Sequence, residues 1–168
     1  MGIYYFQINL REEEMLSEYI TSDKIKINLE SNERDECLAE LLEVMIKHNP
    51  EINRKEALQA LIDREEKKST AIFPGIAVPH AVCKSIKKSC LVIGVTKNKI
   101  DFGSTATDPE EMNVKIVFEI LLEEGDTETH LKMLRDIVQL IKMPDFEKNV
   151  IEAKSAAQIL DLIIKSEI

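Results

Sequence analysis

The stretch Val114-Lys-Ile-Val-Phe-Glu-Ile-Leu-Leu122 limits the fold more than any other. Val114, Ile116, Phe118, Ile120 and Leu122 share one face of an extended chain, and Val117 and Leu121 lie on the other. A strand that is apolar on one face and half-apolar on the second must be covered on both sides. It belongs in the middle of a sheet with helices on each face.

The flanking segments supply those layers. Lys24-Ile-Lys-Ile-Asn-Leu-Glu30 alternates strictly and predicts a strand buried on one face. Ser31 or Asn32 is placed to cap a following helix with Leu38, Leu41, Leu42, Met45 and Ile46 inward, ending at His48-Asn49-Pro50. His48 reads as a solvated residue at that helix end. Asn53 predicts the cap of a second helix with Ala57, Leu58, Leu61 and Ile62 inward, closing in a charged stretch over residues 63 to 68. Ser89 to Val95, the polar Lys97-Asn-Lys99 and Ile100-Asp-Phe102 suggest a hairpin. Asp101 to Asn113 is loop-like.

After Leu122, Asp126 or Thr127 predicts the cap of a helix to about Lys142, with Leu131, Leu134, Ile137, Val138 and Ile141 as its apolar stripe. Pro144 opens a short helix near its first turn, and Ser155 caps a last one carrying Ile159, Leu160, Leu162 and Ile163. The expected fold is an α/β layered sandwich, a central mixed sheet flanked by helices. Residues 21–168 form its single domain, and residues 1–20 an N-terminal appendage. That appendage could pack on the domain or on a second copy of it, the second option making a homo-oligomer.

Composition removes several function classes. The formal net charge is −9 with no block of five or more like charges, which argues against a nucleic-acid partner. No apolar run is long enough to span a bilayer, and no signal pattern opens the chain. Cys37, Cys83 and Cys90 are an odd number without C-x-x-C spacing, so a reducing cytoplasm is the expected location.

One segment departs from regular structure. Ser69-Thr-Ala-Ile-Phe-Pro-Gly-Ile-Ala-Val-Pro-His80-Ala81 is broken by two prolines and a glycine. It admits at best two very short strands and presents His80 from a rigid turn. His130 falls in the first turn of the helix after the central strand, on the side of Leu134 and Ile137. Two histidines on separate elements leave several chemistries open. A metal site lacks a third ligand, with Cys83 a weak candidate. A Cys83–histidine dyad has no supporting context. Phosphohistidine chemistry needs only an exposed imidazole, donors for phosphoryl oxygens, and a group to orient the ring. Backbone N–H groups of the broken turn, the hydroxyls of Ser69 and Thr70, and an arginine would be suitable donors.

Ala60-Leu-Ile-Asp-Arg-Glu-Glu66, Ser69-Thr70, Pro74-Gly-Ile-Ala-Val-Pro-His80 and Thr129-His-Leu-Lys-Met-Leu134 occur in this order. Together they resemble the enzyme IIA component of the bacterial phosphoenolpyruvate-dependent sugar phosphotransferase system, in its fructose/mannitol class, over residues 22 to 166. The resemblance implies a cytoplasmic phosphoryl carrier without metal or organic cofactor. His80 would take a phosphoryl group from the phosphocarrier HPr and pass it to a IIB component acting with a membrane IIC. His130 would orient and stabilise that group, and Arg64 would clamp it, with Ser69, Thr70 and Ala81 at the phosphoryl-binding wall. Ala81 stands where the family often has glycine, and Phe73-Pro74 replaces the Gly-Glu or Gly-x that often precedes Gly75. The chain shows neither a IIB-like cysteine loop nor a IIC, which implies a free-standing IIA. Two other functions fit related folds. One is a nitrogen-branch regulatory IIA, whose phosphorylation state controls protein partners. The other is a non-phosphorylated binding domain like that of anion exchangers, which need not keep Arg64, His80 and His130 together.

Overall fold

The computed structural model describes residues 14–71, 73–103 and 113–167. Five strands, β1 (Ile25–Ile27), β2 (Ile76–Ala77), β3 (His80–Cys83), β4 (Cys90–Asp101) and β5 (Asn113–Glu123), form one mixed sheet. Its helices are α1 (Arg34–His48), α2 (Arg54–Lys67), α3 (Thr127–Ile141), α4 (Phe146–Glu152) and α5 (Ala156–Ser166). Strand order is β1-β4-β5-β2, with β3 also on β5; β4 runs antiparallel to β5 and the other pairings are parallel.

The two-sided strand lies in the sheet interior as expected, except that Val114, beyond the register shift of β4, packs with Val117 and Leu121 and not with Ile116. Val117 and Leu121 of β5 face a core made with Leu38, Leu41, Leu42 and Met45 of α1 and Ala57 and Leu61 of α2. Ile116, Phe118, Ile120 and Leu122 face the opposite core, with Met133 and Ile137 of α3, Phe146 and Val150 of α4, and Ile159 and Ile163 of α5. Leu16 and Ile20 also bury in that second core, and residues 1–13 lie outside the described residues. No described helix is long and apolar enough to cross a membrane.

β2 and β3 are one edge strand interrupted at Val78-Pro79. Ile76 pairs with Ile116 and His80 with Ile120, so the register carries straight across the break. Pro79 has no N–H for the ladder, but its carbonyl still accepts from Ile120 N at 2.9 Å. His80 therefore opens a short parallel strand instead of sitting on a turn, and strand alternation decides where it points. Ala77, Ala81 and Cys83 belong to the α1/α2 core and Ile76 and Val78 to the other, which sends His80 toward the α3 side.

Four further local expectations change. Asn28 takes a left-handed conformation (φ 62°), ending β1 and turning Leu29 into the α1/α2 core while Ile25 stays in the other. Neither Ser31 nor Asn32 caps α1. Its N-cap is Glu33 without a side-chain bond, because Glu40 accepts from the Ser31 hydroxyl and from the backbone of Glu30 and Ser31, each N–H at 3.0 Å. The Lys97–Lys99 segment is a bulge, not a hairpin turn. β4 advances from Val95 to Ile100 while β5 moves only from Ile116 to Val114. On α3 the inward stripe is Met133, Ile137 and Leu140, with Leu131 63% exposed. Most of the Asp101–Asn113 loop lies outside the described residues.

Asn53, Asp126 and Ser155 cap α2, α3 and α5 through the backbone N–H of Glu56, Thr129 and Gln158, as the sequence predicts. Pro144 precedes a left-handed Asp145 (φ 60°), so α4 starts two residues after the proline. His48 lies at the end of α1, its Nε2 3.6 Å from Asp23 Oδ2.

Candidate active site

Three elements converge at one edge of the sheet. α2 brings Arg64 in its last turn, β3 opens with His80, and the first turn of α3 brings His130. The His80 and His130 rings lie 5.6 Å apart between centroids, tilted by 57°. Arg64 Nη2 is 3.5 Å from His80 Nε2, and Arg64 Nη1 donates to the Lys68 carbonyl at 3.0 Å.

The histidine tautomer follows from its partner. His80 Nδ1 is 2.8 Å from the Val78 carbonyl, a group that can only accept, so Nδ1 carries the proton. That leaves the lone pair on Nε2, the atom facing Arg64. Burial lowers the His80 pKa, and the positive charges of Arg64 and His130 add to this against the Val78 hydrogen bond. Burial and Arg64 lower that of His130 in the same direction. Both rings are thus held toward the neutral form. His130 Nε2 is buried without a hydrogen-bond partner among the described residues.

The remaining expected donors are placed differently. Ser69 Oγ donates to the Phe102 carbonyl at 3.0 Å and accepts from Ala71 N. Thr70 is buried, and its hydroxyl and N–H both go to the Glu65 carboxylate. The structure thus brings Arg64, His80 and His130 together, and commits both hydroxyls to other partners. Ala81 is buried in β3 opposite Leu121 in extended backbone, so the position asks nothing of glycine. Pro74 leads into Gly75 (φ 75°), the residue that does need left-handed freedom. Cys83 is on the sheet face away from His80, with Ser85 Oγ 3.1 Å from its sulfur. Among the described residues no three His, Cys, Asp or Glu side chains converge as a metal would require.

Two acidic residues escaped the sequence reading. Glu65, within the charged stretch that closes α2, is 2% exposed. Its signal was the inward spacing Ala57, Leu61, Glu65, four residues apart each time. Glu119 is fully buried on the β5 face shared with Val117 and Leu121, and both its oxygens lack partners among the described residues. Strict alternation along the central strand already puts it there.

The apolar rim is also local. Val82, two residues past His80, is 49% exposed, and Leu131 follows His130 directly. A neutral nucleophilic nitrogen beside a guanidinium, with an exposed apolar side chain close in sequence to each histidine, suits group transfer from a docked macromolecule.

The family model described as "Phosphoenolpyruvate-dependent sugar phosphotransferase system, EIIA 2" matches residues 18–166. The chain belongs to this family. Among curated EIIA relatives, the fructose-specific EIIABC component of Bacillus subtilis (strain 168) is 32% identical over 148 residues. That match takes in 88% of this chain but only 23% of the relative's length. The nitrogen regulatory protein IIA-Ntr of Neisseria meningitidis superposes with a TM-score of 0.78 at 18% identity, covering 88% of this chain and 98% of its own. Mannitol enzyme IIA of Escherichia coli, in complex with phosphorylated mannitol enzyme IIB, superposes with a TM-score of 0.73 at 17% identity, over 87% and 97%. At these identities the solved structures establish the shared EIIA fold.

Proposed function

We propose that this EIIA chain is a cytoplasmic phosphoryl carrier, with His80 Nε2 as the atom that takes the phosphoryl group from HPr and passes it to a IIB component. The observation that carries the reading is the His80 ring: Nδ1–H bound to the Val78 carbonyl, and an unprotonated Nε2 facing the Arg64 guanidinium at 3.5 Å. In the first step the Nε2 lone pair attacks phosphorus. A nitrogen–phosphorus bond forms on His80 as the one on the donor imidazole breaks, and the bonding pair returns to the donor. No proton leaves His80 Nε2, so the Nδ1–H can stay on Val78 throughout. In the second step a thiolate of the IIB partner attacks the same phosphorus, and His80 recovers its lone pair. Both are exchanges between groups of similar phosphoryl affinity, so positioning and charge stabilisation carry the rate.

Arg64 suits the clamp because its far nitrogen is already held by Lys68 and its near one faces the reacting atom. In the tautomer that carries its proton on Nε2, His130 would donate to an arriving phosphoryl oxygen, which lowers the cost of burying that nitrogen. Val82 and Leu131 supply the apolar contact for both partners. We place the carrier domain at residues 21–168, with Leu16 and Ile20 of the preceding segment closing its second core. No organic cofactor or metal enters either step.

Incubation with phosphoenolpyruvate, enzyme I and HPr should label the protein, and His80→Ala should abolish the label. A label that survives that substitution removes the assignment. The likeness to a nitrogen regulatory IIA favours a second reading, in which the same phosphorylation controls protein partners instead of sugar entry. Transfer onward to a IIB protein and sugar separates the two.

A further inference from the structure

A chain of hydrogen bonds links a buried carboxylate to the nucleophile. Glu65 Oε1 accepts from Thr70 N at 2.7 Å, and Glu65 Oε2 accepts from Thr70 Oγ1 at 2.9 Å. The Thr70 carbonyl accepts from Val78 N at 3.4 Å, and the Val78 carbonyl accepts from His80 Nδ1 at 2.8 Å. Each link fixes the orientation of the next group. Thr70 N–H and O–H point at the carboxylate, its carbonyl faces the edge strand, and the Val78 peptide then presents its oxygen to the imidazole. Beside it, Arg64 donates to the Lys68 carbonyl, inside the same 65–70 turn.

We propose that Glu65 is a positioning residue for the phosphoryl site, acting through Thr70 and Val78 on the His80 tautomer and through the turn on Arg64. Glu65 touches none of the reacting atoms. It is 2% exposed and Thr70 5% exposed, so neither bond competes with water. The sequence explains the need for such a hook. α2 ends at Lys67, Lys68 is fully extended (φ −167°), and the chain must reverse toward an edge strand that Pro79 deprives of one ladder bond. Without an acceptor at Glu65, two buried Thr70 donors are stranded and the turn loses its anchor. Thr70 then has a role unlike that of a phosphoryl donor: its hydroxyl is already spent inside the protein.

The consequence for rate rests on the phosphoryl-carrier reading, so the test keeps a readout independent of it. In the full chain, ¹⁵N-edited spectra of the His80 side chain should show the proton on Nδ1. Glu65→Leu should mix the tautomers and lower kcat for labelling by the small-molecule donor phosphoramidate by about ten-fold, with KM changed less than about two-fold, as expected for a misplaced reacting group. Glu65→Gln keeps an acceptor for Thr70 N–H and should restore most of the rate. Thr70→Ser should match the wild type and Thr70→Val should resemble Glu65→Leu. If Glu65→Leu fails to fold, Thr70→Val decides by the same readings. A His80 tautomer and labelling rate unchanged in both Glu65→Leu and Thr70→Val would overturn the proposal. Absence of any phosphoramidate label on the wild type would count against the carrier reading, while the tautomer shift would still decide the role of Glu65.

Discussion

Glu119 gives the sharpest prediction about stability. Its carboxyl is 0% exposed, faces the α1/α2 core and has no hydrogen-bond partner among the described residues. Burial pushes its pKa well above the ordinary value of 4.5, so the folded protein holds it protonated. In the unfolded chain it ionises normally. A group whose folded pKa is raised gives its full stability below the unfolded pKa and loses it as pH rises toward the folded value. Above an unfolded pKa near 4.5, the cost of keeping Glu119 neutral rises with pH by at most about 1.4 kcal/mol per unit, up to its raised folded pKa. Glu119→Gln keeps the shape and removes the titration. Urea unfolding followed by circular dichroism should therefore show the variant gaining steadily on the wild type as pH rises from 5 to 7, by no more than about 1.4 kcal/mol per unit. Histidine titrations are common to both chains and cancel in the difference. Burial pushes Cys90 up to about 12, outside that window. A difference that stays flat across this range would refute the reasoning, because it would mean Glu119 is ionised in the folded state.

Other expectations concern the site and its scaffold. Arg64→Lys replaces a held planar fork by a point charge and should slow phosphoryl labelling about ten- to hundred-fold, measured from initial rates. Leu131→Asp should raise KM for phosphorylated HPr at least about ten-fold, in line with about 1.5–3 kcal/mol for burying a leucine. An unchanged KM would remove Leu131 from the docking rim. Gly94→Ala would put a Cβ 2.6 Å from Leu29 Cδ1 and 2.9 Å from Leu41 Cδ2, and thermal unfolding should report a loss of about 1–3 kcal/mol.

The two-sided pattern of residues 114–122 carried most of the fold, because an inward apolar face can be satisfied only by a covering layer. The caps at Asn53, Asp126 and Ser155 were legible for the same kind of reason, a side chain three residues from a free N–H. Ser31 was misjudged because Glu40, nine residues on, competes for its hydroxyl, and no local rule contains that partner. The Lys97–Lys99 bulge read as a turn because its polar residues suit either, and only the pairing with β5 distinguishes them. Within the site, His80 stands out by the broken segment before it and His130 by its place in the first turn of α3, Arg64 only through the family motif, and the structure adds their mutual geometry. Glu65 and Thr70 carried a pairing that needs the turn between them to close, which sequence spacing alone does not specify.

On the carrier reading, His80 Nε2 forms the bond to phosphorus. Its most direct measurement is ³¹P- and ¹⁵N-detected NMR of the chain labelled through phosphoenolpyruvate, enzyme I and HPr. One phosphohistidine is expected, at His80, substituted on Nε2 with Nδ1 still protonated. A phosphoryl group on Nδ1, on His130, or on any other residue would contradict it.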